Sequence, residues 1–217
     1  MTDLPGRLRA IRVFDGELPA FDPAAVPDDP VALFVDWIVG AIEAGTPEPH
    51  VAVLSTVDEA GRPDARALIL KDVDERGWWF ASSSAGPKGT QLAARPFAAL
   101  TWYWPGQARQ IRVRGEVRPA DPDVSAADFL ARAPGGRAEA LVGRQSEPLA
   151  DPALLAEALA DAEARIAAEP GLVAKDWTRY VLRADEVQFF QGSQQRKHTR
   201  VAYRRTGEDW SHTLLWP

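Results

Sequence analysis

Residues 192–200 read GSQQRKHTR and set Arg196, Lys197, His198 and Arg200 directly behind the apolar run VQFF. In an extended strand, Arg196 and His198, two residues apart, share one face and can confront a single ligand together. A guanidinium there fixes an anion or developing negative charge, while an imidazole orients a polar ligand by hydrogen bonding or moves a proton. Further isolated polar groups stand at expected strand ends: Arg66 and Lys71 in RALILK, Ser82 and Lys88 in SSSAGPKG, Gln110 in RQIRV, and Gln145 and Ser146 in RQSEP. Each alone reads as an exposed group near a turn. Together with Arg200 they read as an anion cradle. Arg66 and Lys71, five apart, are expected on opposite faces of one strand unless a bulge intervenes. Lys88 follows Gly86 and Pro87 at a helix start, where free backbone N–H groups already favour anions.

The rest of the chain makes any such site local. Its formal net charge of -6 argues against a general nucleic-acid binder. With no cysteine, thiolate nucleophiles, disulfides and Cys-based metal sites are excluded. His50, His198 and His212 are too scattered for metal-ligand spacing, so no metal is expected. Neither a glycine-rich dinucleotide fingerprint nor a P-loop is present, and the serines of SSSAG lack the nucleophile-elbow pattern. Redox chemistry would need a borrowed group. The N-terminus has no secretory layout and no apolar run approaches the ~20 residues that cross a bilayer, so a cytoplasmic protein without a membrane partner is the expectation.

The elements that must position these groups follow from the hydrophobic period. Residues 1–29, with LPAFDPAAVPDDP, read as a flexible, irregular arm that can order as a lid, and residues 30–217 as a single domain. Asp29 and Pro30 open an amphipathic helix with Leu33, Phe34, Trp37, Ile38 and Ile42 on its apolar face, ending at Gly45. From residue 51, short alternating runs such as VAVLSTV, GWWFASS and FAALTWYW predict antiparallel strands closing into a barrel, with only a short helix in GPKGTQLAARP. DVSAADFLARAP and DPALLAEALADAEARIAAEPG predict two helices joined by a loop, GGRAEALVGRQSEP. WTRYVLRADEVQFFQG and a closing hairpin turning near Gly207 restore the β pattern. Trp37, Trp78, Trp79 and Trp102 read as core.

RALILK, SSSAGPKGTQL, RQIRVRGEV, RQSEP and FFQGSQQRKHTR, in that order over roughly residues 30–217, resemble the successive signatures of the pyridoxamine 5'-phosphate oxidase family. The resemblance implies an α+β antiparallel split β-barrel with flanking helices, paired as a homodimer with FMN at the subunit interface. It places Arg66, Lys71, Ser82, Lys88, Gln110, Gln145, Ser146, Phe190 and Arg200 at FMN, and Lys71, Arg132, Arg196 and His198 at the substrate, with Arg196 and His198 as the catalytic pair. Phe190 stands where the family usually has tryptophan, and Ala81 and Pro87 replace an aromatic and a basic flavin contact. Asp128 and Gly136 occupy the places of a tyrosine and a serine on the substrate phosphate. A carboxylate near a phosphate repels it by roughly 1 kcal/mol or more in partly screened surroundings.

Three functions follow as alternatives. The first is an FMN-dependent oxidase that uses O2 to convert pyridoxine or pyridoxamine 5'-phosphate to pyridoxal 5'-phosphate. The second keeps the chemistry but takes a dihydrophenazine-type substrate, as RQSEPLADPALLAEA also resembles the phenazine-biosynthesis branch of the family. The third is a non-catalytic flavin- or pyridoxal-phosphate-binding protein, which would have no need of Arg196 and His198.

Overall fold

The Asp29 carboxylate accepts the Val31 N–H at 2.9 Å and Pro30 takes the first helical position, where its missing N–H costs nothing. The computed structural model describes residues 3–217; Met1 and Thr2 of the expected arm lie outside the described residues. The arm contains a short helix, α1 (Leu4–Arg9), capped by the Asp3 side chain on the Gly6 N–H at 3.0 Å. It is followed by α2 (Pro30–Glu43), whose buried face is Leu33, Phe34, Trp37 and Ala41. Ile42, expected on that face, is exposed with Val35 and Val39 on the helix's outer side.

The strands are β1 (Val51–Val57), β2 (Pro63–Ile69), β3 (Asp72–Asp74), β4 (Gly77–Ser83), β5 (Phe97–Trp104), β6 (Arg109–Pro119), β7 (Trp177–Gln191), β8 (Thr199–Thr206) and β9 (Asp209–Leu214). They form one sheet ordered β2-β1-β5-β6-β7-β4-β3, with β8 beside β7 and β9 beside β8. The helices are completed by α3 (Pro87–Ala94), α4 (Pro122–Leu130), α5 (Pro134–Val142) and α6 (Pro152–Ala168). This is the α+β antiparallel architecture the sequence pattern leads to.

The segment expected as a plain loop between two helices is instead built around α5. Pro134 starts it, which leaves Gly135 and Gly136 in the first turn, and Gly143 ends it at a φ of +70°. Ala138 and, partly, Leu141 and Val142 pack against Leu159, Ala162 and Ile166 of α6. That burial holds the following loop, with Gln145 and Ser146, close to a fixed frame.

The chain divides into two compact units. The first comprises the residues up to Val53, Ala99–Arg114 and Ala184–Pro217. Its core is aromatic: Phe34 meets Trp102 edge-on at 4.9 Å, Trp37 meets Phe189 at 5.2 Å, and Phe189 meets Tyr203 at 5.8 Å. The β8–β9 hairpin turns at Gly207, where φ is +68°. The second unit comprises Leu54–Ala98 and Gly115–Arg183. There β4 pairs antiparallel with β7 and β3 with β4, over a core containing stacked Phe80 and Tyr180. Trp37, Trp78, Trp79 and Trp102 are all buried, as expected of core residues.

Tyr203 links the first unit's sheet to its arm, because its hydroxyl donates to the Pro27 carbonyl at 2.8 Å. Burial, reinforced by the Asp28 and Asp29 charges, pushes its phenol up to about 12. The folded state therefore holds this proton more tightly than the unfolded chain, where tyrosine titrates near 10. The resulting stability is complete below about pH 10 and is lost as pH rises toward about 12. Urea unfolding between pH 9 and pH 12 is expected to show a falling midpoint, with a shallower fall in Tyr203→Phe; equal slopes in the two proteins would assign the loss to other groups.

Candidate active site

Two glycines decide where α3 begins. A Cβ on Gly89 would stand 2.4 Å from the Ser84 carbonyl oxygen, and one on Gly86 would stand 2.7 Å from Gln145 Oε1. The Gly89 contact is with backbone, so glycine is required there for the strand-to-helix turn to close, whereas at Gly86 the flexible Gln145 side chain could move aside. Lys88, between them, donates to Ser82 Oγ at 3.0 Å and to Gln145 Oε1 at 2.6 Å. Both partners are neutral. Burial, and then the neighbouring Arg66 charge, lower the Lys88 ammonium from the ordinary lysine value, with Asp64 opposing the shift. Ser82, Lys88 and Gln145 thus meet, and they line a cleft of about 480 Å³ in the second unit. Ser146, at a φ of +69°, lines it too.

Arg66 stands behind this group. One Nη reaches Thr56 Oγ1 at 2.5 Å, and the other reaches Gln91 Oε1 at 3.2 Å and the Asp64 carboxylate. The Gln91 amide, followed by the Arg66 charge, holds exposed Asp64 below the usual carboxylate range against its desolvation. Gln91 and Thr56 are absent from the sequence-derived site. The available signal was Gln91's place three residues after Lys88 on α3, which sets the two side chains on neighbouring helix positions.

Lys71 departs from expectation. It lies in the two-residue link between β2 and β3, so strand alternation with Arg66 does not govern it. Its N–H bonds the Trp79 carbonyl at 2.7 Å and its ammonium lies 3.7 Å from the Asp128 carboxylate. Asp128, whose side chain is 8% exposed, also accepts the Trp177 indole N–H at 2.8 Å. Arg132 lies over the Trp177 ring at 4.1 Å and grips the Gly136 carbonyl through Nε at 3.2 Å and Nη2 at 2.8 Å. Arg132 and Trp177 line the cleft, with Leu154 and Leu155 of α6 supplying apolar wall. Trp177 was read only as the start of a strand, and its place at the β7 terminus is what turns its ring into a wall.

The first unit gathers a second group. Arg196 and His198 do not share a strand face: both lie in the loop before β8, which begins at Thr199. The loop winds on Ser193, whose carbonyl takes the Arg196 N–H at 3.0 Å, and Arg196 adopts a φ of +61°. The Ser193 N–H donates to His198 Nδ1 at 3.0 Å, so in the neutral imidazole the proton sits on Nε2. The ring is bracketed by Phe14 at 5.5 Å and Phe190 at 5.4 Å, and the Arg200 guanidinium lies 5.7 Å over Phe190. Arg196 is exposed, and Gln110 stands half-buried on β6.

Residues 38–165 match the family model described as pyridoxamine 5'-phosphate oxidase. The chain belongs to that family. Residues 177–217, which include β7, β8 and β9, match the model for the pyridoxine 5'-phosphate oxidase C-terminal dimerisation region, which indicates a homodimer. Two similar curated proteins are pyridoxine/pyridoxamine 5'-phosphate oxidases. That of Ectopseudomonas mendocina is 40% identical over 196 residues, covering 89% of this chain and 91% of the relative. That of Legionella pneumophila strain Lens is 35% identical, covering 97% of each. PhzG from Burkholderia lata, solved with tetrahydrophenazine-1-carboxylic acid, superposes with a TM-score of 0.85 at 27% identity, covering 93% of this chain and all of that one. An FMN-binding protein from Nostoc punctiforme shares the fold, with a TM-score of 0.70 at 18% identity over 87% of this chain and 98% of that one. The split-barrel fold and the oxidoreductase class of the family therefore hold for this chain. No described helix is long and apolar enough to cross a membrane.

The charge at Lys88 is directly measurable. In ligand-free protein with isotopically methylated lysines, the Lys88 signal, assigned by its loss in Lys88→Arg, is expected to titrate below the ordinary lysine range. Arg66→Met removes the second cause of the shift and should move that titration part of the way back up. A Lys88 signal that titrates at the ordinary value would show that the ammonium is fully hydrated.

Proposed function

We propose that the protein is an FMN-dependent oxidase that uses O2 to convert pyridoxine or pyridoxamine 5'-phosphate to pyridoxal 5'-phosphate. It would act as a cytoplasmic homodimer with FMN at the subunit interface. Residues 30–217 would form the catalytic domain behind an arm of residues 1–29. The observation that carries the cofactor assignment is Lys88: a half-buried ammonium that, among the described residues, hydrogen-bonds Ser82 and Gln145, with Arg66 close enough to depress it. A half-buried ammonium in a partly apolar cleft, with the Asp64-paired Arg66 behind it, is costly alone and becomes favourable beside a dianionic phosphate.

The residues present fit FMN. Lys88, Arg66, Ser82, Gln145 and Ser146 would hold its phosphate end, while Gln110, Lys71, Phe190 and Arg200 would contact the rest. Bound FMN would supply the two-electron acceptor for the substrate and pass both electrons to O2, giving hydrogen peroxide. Lys71 and Arg132 would anchor the substrate. His198 keeps its Nε2 proton while Nδ1 accepts from Ser193, so it would act as a hydrogen-bond donor orienting the substrate rather than as a base. Exposed Arg196 would hold the reacting end of the substrate in line.

A second reading has its own support. The Asp128 carboxylate engages Lys71, one of the cations a phosphate would use, and PhzG was solved with a reduced phenazine carboxylic acid. A dihydrophenazine-type substrate would demand fewer phosphate ligands.

Anaerobic mixing of flavin-loaded protein with each candidate substrate separates these readings. Pyridoxine or pyridoxamine 5'-phosphate is expected to bleach the flavin absorbance, and O2 to restore it with stoichiometric peroxide. Arg196→Ala is expected to slow bleaching by about tenfold or more while flavin affinity stays unchanged. Bleaching by a dihydrophenazine alone would install the second reading, and no bleaching by any of them would sink the oxidase.

A further inference from the structure

We propose that the Arg132 end of the cleft selects a singly charged anionic group on its ligand, and that Asp128 is the residue that sets this charge. The inference rests on the oxidase reading and concerns the class of substrate that its site accepts.

The cluster is neutralised from within. Arg132 and Lys71 bring two positive charges, and Asp128, 3.7 Å from the Lys71 ammonium, removes one. Asp128 is fixed there by the Trp177 indole N–H at 2.8 Å, and its side chain is almost wholly buried, so its charge is poorly screened. Of five guanidinium N–H donors, Arg132 commits one at Nε and one at Nη2 to the Gly136 carbonyl. A Cβ at residue 136 would press on Arg132 Nη2 at 3.1 Å, so glycine lets the guanidinium settle on its own backbone. The Nη1 edge remains for a ligand, above an indole that holds the plane of the guanidinium.

The other charged groups nearby do not restore a second positive charge. Arg144 and Glu147, in the loop after α5, pair at 2.8 Å, and Glu139 of α5 is an exposed anion on the cleft wall. Lys88 of α3 keeps its charge between the neutral Ser82 and Gln145, but in the flavin-loaded protein that charge is assigned to the flavin phosphate. One net positive charge matches a carboxylate or a phosphate monoanion. A phosphate dianion is left with one charge uncompensated beside Asp128. Since a phosphate monoester loses its second proton near about pH 6, the monoanion falls about tenfold per pH unit above that value.

Calorimetric titration of the flavin-loaded protein with 4-deoxypyridoxine 5'-phosphate, from pH 5.5 to 8, tests this without turnover, so it stands apart from whether the protein is an oxidase. The parent is expected to lose roughly tenfold in affinity per pH unit above about 6. Asp128→Asn, which keeps an oxygen for the Trp177 N–H, is expected to flatten that decline and bind tighter at pH 8. Lys71→Gln added to Asp128→Asn returns the count to one and should return the decline. Phenazine-1-carboxylate, the carboxylate source of the same charge, is expected to bind the parent with no such decline. A parent whose affinity for the phosphate is flat from pH 6 to 8, or an Asp128→Asn variant that declines as steeply as the parent, would overturn the proposal.

Discussion

A half-buried ammonium whose hydrogen bonds go to neutral oxygens is the constraint on which the cleft depends. Burial and the Arg66 charge lower the Lys88 ammonium from the ordinary lysine value, and among the described residues its hydrogen bonds go to the neutral oxygens of Ser82 and Gln145. Its position is fixed by a turn in which Gly89 leaves room for the Ser84 backbone, and by its hydrogen bond to Gln145 in the loop that follows α5. Arg66, held by Thr56, Gln91 and the Asp64 carboxylate, adds a second charge that Asp64 offsets in part. The local structure thus holds positive potential where the proposed flavin phosphate would lie, and the negative charge of the ligand offsets that cost on binding.

The strands and α2 were legible because their signals are local. Asp29 with Pro30, the alternation in VAVLSTV and the glycine at 207 each act within a few residues. The helix α5 was not, since a pair of glycines reads as a break. Pro134 puts those glycines in the first turn, where a helix tolerates them, and the favourable energy comes from tertiary packing on α6, the next element, which the local pattern does not show. Ser82, Lys88 and Gln145, each at a turn in the sequence, hydrogen-bond to one another, whereas Lys71, Arg196 and His198 lie off the strands expected for them. Strand alternation assumes a strand, and a single turn on Ser193 and a two-residue link after β2 remove it.

Family membership carries the general chemistry, and the residues that depart from the family pattern modify it. Asp128, expected from sequence as a repulsive charge near a phosphate, is spent on Lys71 and Trp177. Gly136, expected as a lost ligand, lets Arg132 close onto a backbone carbonyl. The two departures act together, each restraining one of the two retained cations. In the first unit, the Ser193 N–H gives His198 a single donor tautomer, with Phe14 and Phe190 holding its ring.

The most direct test of the central claim is the affinity of the ligand-free protein for FMN compared with riboflavin, which lacks the phosphate, in the parent and in Lys88→Met. The account predicts that the parent prefers FMN by at least about a hundredfold, as two charge-assisted contacts at about 1.5 kcal/mol or more each require, and that Lys88→Met loses about tenfold or more of that preference. Equal affinity for the two flavins in the parent, or a preference untouched by Lys88→Met, would contradict it.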